Sequence, residues 1–362
     1  MSYPIGMDCI NLKPTPRPGH TEYSLEYSLS APQIAAFLGP EGDPNRWRTF
    51  YNNLDFDFMW GTNEGPDPWG KGRTTNMGHA EYAKDGSDLT AASLCPFQDV
   101  DEVLAFDACQ EYGLPDHDAL VSFYEKGYQD GMASLPDQVH TGGFYNTVIS
   151  GAIQAFGWDM LLMAAADRER FAKVLQTFGR RTLHYMTAQA DTSIEVFIQH
   201  DDFVWTEGPF LDPPFYRNVI IPLYREVWSM LHKKGKKVLF CSDGRWEMFM
   251  EDIRAAGADG FIFEPCNDFE WVVNNFGDTT CLVGSAVDCR TLTFGTWEQV
   301  KAEIDKTVAL IPKCRGLIWA VGNHIPANIN PDMIVQYLDY TRQHWTRRQR
   351  VGKGLTQEGA KS

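Results

Sequence analysis

The chain is short of positive charge. Its 32 Lys and Arg face 48 Asp and Glu, a formal charge of −16, and no basic stripe occurs outside the C-terminal tail RRQRVGKG. A surface that tracks phosphate backbones needs such a stripe, so a nucleic-acid partner is excluded. An anionic membrane surface is an equally poor match. Long apolar runs are also missing: none approaches the roughly 20 residues that span a bilayer. The N-terminus, MSYPIGMDCINLKPTPRPGH, lacks the basic-then-apolar order of a signal peptide. The eight cysteines (Cys9, Cys95, Cys109, Cys241, Cys266, Cys281, Cys289 and Cys314) form no CxxC pair and no compact framework. Together these features point to a cytoplasmic protein with reduced thiols, some of which can serve as ligands. No GxGxxG follows a strand and no P-loop occurs, which weakens a dinucleotide or nucleotide site.

What the chain has is length and aromatic bulk. Its 362 residues include 22 Phe, 14 Tyr and 11 Trp, enough for a large core and for a pocket that takes flat ligands. The first 20 residues are Pro-rich and read as irregular structure. APQIAAFL (31–38) reads as a short helix, and 58–90, rich in Gly, Asp and Asn, as long loops or a hairpin elaboration. DVDEVLAFD (99–107) reads as a strand or its lead-in, and HDALVSFYEKGYQDG as a helix. From about residue 145 the pattern becomes regular. Two helical stretches, the second with a possible break near Gly179, lead to the buried strand SIEVFIQHDD.

After that strand, helices alternate with KKVLFCSDG, DGFIFEP, TCLVGSAVD and GLIWAVGNH, until PDMIVQYLDYTRQHW closes the pattern with a helix. Continuous apolar strands between helices are buried on both faces, as in a parallel sheet. The alternation fits a doubly wound α/β sheet or a (β/α)8 barrel.

The five strands end in HDD, CSDG, FEPC, VDC and GNH. Each apolar run delivers polar or ligand-type groups at its C-terminal end. In a barrel these ends surround one mouth; in an open sheet they lie on one edge. Cys241, Glu264 and His324 make a plausible mixed set for a metal such as zinc, with Cys266 a weaker member. The bland readings are that a buried Cys is a small hydrophobe and that a strand-end Asp, such as Asp243 or Asp288, caps the next helix. Of the pair Asp201-Asp202 only one side chain can face the mouth, and Asp202 is favoured. The polar cluster HAEYAKDGSD offers His79, Glu81 and Asp85 as groups that could reach the mouth, against the alternative of a solvated loop.

IQHDDFVWTEGPFLDPPFYRNVIIPLYREVWSMLHKKGKKVLFCSDG, GADGFIFEP, LVGSAVDCRTLTFGTWEQV and GNHIPANINPDM resemble the uroporphyrinogen decarboxylase-like superfamily. They look most like its cobalamin-dependent methyltransferase branch, which includes phenyl methyl ether O-demethylases. The resemblance covers about 75–345 and implies a (β/α)8 TIM barrel, here residues 76–345. Before it would lie an N-terminal elaboration (1–75), and after it a flexible tail (346–362). It implies zinc, a corrinoid carried by a separate partner protein (no DxHxxG corrinoid motif is present), and a small-molecule methyl donor.

In the family's zinc enzymes a His-x-Cys motif ends the strand that here ends in Cys241-Ser242-Asp243. Cys241 then stands where relatives carry His, Asp243 where they carry Cys, Glu264 near an acidic position, and His324 near a distant Cys. The expected metal ligands are then Cys241, Glu264 and His324, the expected catalytic groups Asp202 and Asp243, and the expected substrate contacts His79 and Asp288. A zinc-dependent methylcobalamin:thiol methyltransferase is the alternative. A metal-free decarboxylase-like or binding protein is a further one, although the decarboxylase's arginine-rich RQAGR motif is absent.

Overall fold

The computed structural model describes residues 2–77, 81–82, 88–89 and 95–346. Eight parallel strands form a barrel: β1 (Gly19–His20), β2 (Phe58–Met59), β3 (Val139–Phe144), β4 (Val196–His200), β5 (Lys237–Ser242), β6 (Gly260–Phe263), β7 (Cys281–Val283) and β8 (Gly316–Trp319). Neighbours pair in order from β2 to β8, and β8 pairs with β1 at Gly19↔Ile318. The remaining seam, between β1 and β2, is bridged by the Asp57 N–H donating to the His20 carbonyl at 2.9 Å. α1 (Tyr3–Ile10) precedes β1; between the strands run α2 (His117–Ser134), α3 (Ile149–Ala164), α4 (Arg168–Ala190), α5 (Ile221–Lys233), α6 (Met250–Ala256), α7 (Phe269–Phe276) and α8 (Trp297–Leu310), and α9 (Pro331–His344) follows β8.

Strand period decides which side chains enter the barrel. Val196, Ile198, Leu239, Cys241, Ile262, Cys281, Val283 and Ile318 form one inner apolar cluster, joined by Cys9 and Ile10 of α1. The alternate residues, among them Phe197, Phe240, Phe261, Leu282 and Leu317, face outward into the larger core beneath the helices. Carried two residues further, the inner series reaches His200 and Asp202 on β4, Asp243 past β5 and Glu264 past β6. The barrel is therefore filled below by α1 and its own aliphatic layers, and becomes polar only at the top.

Several sequence-based assignments change. The barrel's first two strands lie inside residues 1–75, the segment read as an extension; at two residues each they carry no periodicity. β3 went unread because Gly142 and Gly143 break its apolar pattern. Residues 99–107 are not a strand: Val100–Leu104 is a helix, its N-terminus capped by Asp99, which accepts the Glu102 N–H at 2.9 Å. α4 runs unbroken through Gly179, whereas α3 carries a break at Gly157, where φ is +71°. A two-stranded antiparallel hairpin pairs Glu81–Tyr82 with Asp88–Leu89 within the 58–90 elaboration. No helix among the described residues is long and apolar enough to cross a membrane.

Candidate active site at the barrel mouth

A cavity of about 410 Å³ opens above the inner aliphatic layers. Its walls come from the ends of successive strands, because parallel pairing brings those ends level. His200 pairs with Cys241 in the β4–β5 ladder, and the Asp243 N–H donates to Asp202 Oδ1 at 3.0 Å. Two H-x-D and C-x-D steps on neighbouring strands thus lie side by side, His200 with Cys241 and Asp202 with Asp243.

Asp202 is the hub. Its Oδ1 faces His200 Nε2 at 3.0 Å, and its Oδ2 accepts the Tyr145 hydroxyl at 3.2 Å. The Tyr145 ring lies 4.3 Å from the His200 ring. The preceding residue, Asp201, points the other way and is fully buried. It accepts the backbone N–H groups of Val148 and Ile149 at 3.1 Å each and of Ser150 at 2.6 Å, plus the Tyr224 hydroxyl at 2.6 Å. Asp201 therefore anchors the start of α3 to the end of β4. Ser150 in turn accepts the Asp202 N–H at 2.6 Å.

Burial works against charge on His200, but Cys241 and Asp202 outweigh it and hold the imidazole well above its ordinary value. Burial raises the Cys241 thiol, with His200 offsetting part of the rise. Of the two partners it is therefore the Asp202 carboxylate that sustains the imidazolium at neutral pH. Burial also opposes the Asp202 charge, yet His200 and the surrounding hydrogen bonds pull that carboxyl below its usual range. Asp243 is open to the cavity yet sits below its rim. Loss of solvent there, followed by the charges of Asp202 and Glu264, pushes it up to about 8.

Glu264 is held on both oxygens, by the Gly244 N–H at 2.8 Å and the Asn323 side-chain amide at 2.7 Å. Gly244 is required in this turn: its φ is +80°, and a Cβ would come within 2.6 Å of the Trp205 carbonyl oxygen. Asn323 also accepts from His324, whose Nδ1 lies 2.7 Å from its carbonyl oxygen. Burial keeps the His324 imidazole below its ordinary value, hence neutral. Asn146, Ser285 and Asn323 each follow a barrel strand and hold φ of +44°, +55° and +67°. Such backbone is sparsely populated and gathers at functional sites.

The structure thus brings Cys241, Asp202, Asp243, Glu264 and His324 to one cavity. The donors that fall within 4.8 Å of one another, however, are those of His200, Asp202 and Asp243. Cys241 belongs to the inner apolar cluster, Glu264 sits against the Gly244 turn next to Asp243, and His324 follows β8. Cys266 lies outside the lining, its Sγ 4.0 Å from Glu264 Oε2. Asp288, expected to meet substrate, is a helix cap away from the cavity: it accepts the Arg290 N–H at 2.8 Å at the start of the Cys289–Phe294 helix. His79 and Asp85 lie outside the described residues.

His200 lines the cavity beside Asp202 and was not singled out from the sequence. The signal was available, since in IQHDD residues two apart share a strand face, so His200 must accompany Asp202. Tyr23, Trp60 and Tyr145 were missed because they sit on loops after β1, β2 and β3. Tyr23 and Trp60 form a tilted pair with ring centroids 5.3 Å apart.

A (β/α)8 barrel with its polar groups gathered over the C-terminal ends of the strands has the layout in which barrel enzymes carry their chemistry. The chain belongs to the uroporphyrinogen decarboxylase (URO-D) family, which matches residues 134–344, more than half of its length. Among solved structures it is similar to a methyltransferase from Methanosarcina mazei, with 14% identity, a TM-score of 0.59, and coverage of 92% of this chain and 96% of that one. Looser likenesses include D-psicose 3-epimerase from Clostridium cellulolyticum H10 (9% identity, TM-score 0.35, 68% and 93% coverage). A xylose isomerase-like TIM barrel protein from Mycobacterium smegmatis is similar at 11% identity (TM-score 0.37, 91% and 98% coverage). No curated protein sequence matches the chain.

Proposed function

We propose that the protein transfers a methyl group from a small methylated donor, such as a phenyl methyl ether, to the cobalt of a corrinoid carried by a separate protein. The observation that carries this reading is the charge of the cavity. Asp202, Asp243 and Glu264 converge there, and no Lys or Arg is among the described residues that line it. Decarboxylation of a substrate with several carboxylates needs cationic partners in the pocket, and this pocket repels such a substrate. The likeness to the Methanosarcina methyltransferase favours methyl transfer over decarboxylation.

The donor set fits a divalent cation. Imidazole and carboxylate donors stand within 4.8 Å of one another, and a thiol adjoins them. His200, Asp202 and Asp243 would hold the ion, with Cys241, Glu264 and His324 around it. Zinc seated there supplies Lewis acidity for a departing phenolate oxygen. Tyr145 and the Asp243 N–H hold the Asp202 carboxylate in place, and Asn323 fixes Glu264. Tyr23 and Trp60 flank the opening with ring faces suited to a flat donor. A cavity of about 410 Å³ has room for a small aromatic and not for a corrin macrocycle, so the corrinoid approaches from the open mouth.

Two outcomes follow. Purified protein given zinc, reduced corrinoid and methoxylated aromatics is expected to generate methylcobalamin, read from its visible spectrum; silence across a broad donor panel would end this reading. Zinc affinity is expected to depend on pH. Asp243, pushed up to about 8, must lose its proton to become a ligand, and His200 must lose one too. Affinity should therefore climb by at least about tenfold per unit as pH rises toward 8, and less steeply once Asp243 has ionised. A chelator-competition titration from pH 6 to 9 measures this, and an affinity that does not change with pH would contradict the assignment.

A further inference from the structure

We propose that the cavity admits methyl donors without negative charge, and that Glu264 is the specificity residue that turns anionic ones away; this rests on the methyl-transfer reading above. The carboxylates at the mouth are not equivalent. Asp202 is bonded to the His200 imidazole at 3.0 Å. Among the described residues Glu264 accepts from neutral donors, the Gly244 N–H, the Asn323 amide and, at 4.0 Å, the Cys266 thiol. A divalent ion on His200, Asp202 and Asp243 balances two carboxylates and leaves Glu264 as the uncompensated charge of the lining. Without the ion His200 faces Asp202 in the same way, and no Lys or Arg among the described lining residues offsets Glu264, so the sign is the same in both states.

The aromatic wall acts in the same direction. Tyr23 and Trp60 bring two aromatic rings to the lining, and a ring face is the negative part of an aromatic quadrupole. The hydrogen bonds from Gly244 and Asn323 hold Glu264 in place, so it cannot swing aside for an anion. One fixed unit charge across a small cavity weakens an anionic ligand by at least about tenfold relative to its neutral isostere. Methoxyphenols and methoxylated aromatic amines are thus admitted, whereas methoxybenzoates are turned away.

The test is calorimetric binding of 2-methoxyphenol, 4-methoxybenzoate and 4-methoxybenzylammonium to the zinc-loaded full chain, for the wild type, Glu264→Gln and Glu264→Asp. The expected wild-type result is that the benzoate binds at least tenfold more weakly than the other two. Glu264→Gln should shrink that gap about tenfold, and Glu264→Asp, which keeps the charge, should preserve it. Equal or tighter binding of the benzoate by wild type overturns the inference, whether or not Glu264→Gln folds. An unchanged ratio in a folded Glu264→Gln overturns it as well. Because the readout is binding, the two ideas separate: methoxyphenol bound but never demethylated sinks the reaction and leaves the selectivity, and demethylation with benzoate preferred does the reverse.

Discussion

Replacing Asp202 with Asn is expected to lower methyl transfer by on the order of 10²–10³-fold, with the fold intact. The carboxylate takes His200 Nε2, the Tyr145 hydroxyl and the Asp243 N–H, at 3.0, 3.2 and 3.0 Å. An Asn of the same size keeps the space filled. It removes the charge that holds the His200 imidazole up, and it turns one acceptor into a donor facing groups that themselves donate. The variant also loses one of three donors that stand within 4.8 Å of one another. Single-turnover corrinoid methylation, with a circular-dichroism melt as a folding control, measures the effect. A rate within a few-fold of wild type would remove Asp202 from the centre of the site.

The neighbouring carboxylate predicts the opposite phenotype. Asp201→Ala is expected to cost about 3–4 kcal/mol of stability, because it leaves buried donors without an acceptor. Those donors are three consecutive backbone N–H groups at the start of α3 and the Tyr224 hydroxyl. Tyr224→Phe removes only the hydroxyl and is expected to cost about 1 kcal/mol. Urea denaturation of both variants checks the ordering, and a loss below 1 kcal/mol for Asp201→Ala would contradict the anchoring role. Two adjacent aspartates on one strand end thus divide the work. Strand alternation sends one into the helix layer, where it holds the scaffold, and the other over the barrel axis, where it holds the site.

That alternation marks how far the sequence could be read. β4 to β8 were legible because each lies in an apolar run bounded by polar residues, and the ends of those runs name Cys241, Asp243, Glu264 and His324. β1 and β2 were not legible, since two-residue strands have no period, and their places are set by pairing with β8 and β3 rather than by their own residues. The expected ligand set of Cys241, Glu264 and His324 came from the strand ends, with family positions added. Which donors approach one another depends instead on the β4–β5 register, in which His200 lies beside Cys241. Long-range pairing of this kind leaves no local signal. The H-x-D spacing of His200 and Asp202 does leave one, and applying the two-residue period to IQHDD would have found the imidazole. The loop aromatics Tyr23, Trp60 and Tyr145 carry no such pattern and needed the fold.

The account stands on a divalent ion held by the convergent imidazole and carboxylates at the mouth. The most direct measurement is the zinc bound per chain, by mass spectrometry and calorimetric titration, in wild type, His200→Ala, Asp243→Ala and, as a mouth residue outside the triad, Tyr23→Phe. The account predicts one zinc per chain in wild type and Tyr23→Phe, and affinity lowered at least about 100-fold in His200→Ala and Asp243→Ala. Wild type that binds no zinc, or folded His200→Ala and Asp243→Ala that bind it as tightly as wild type, would contradict it.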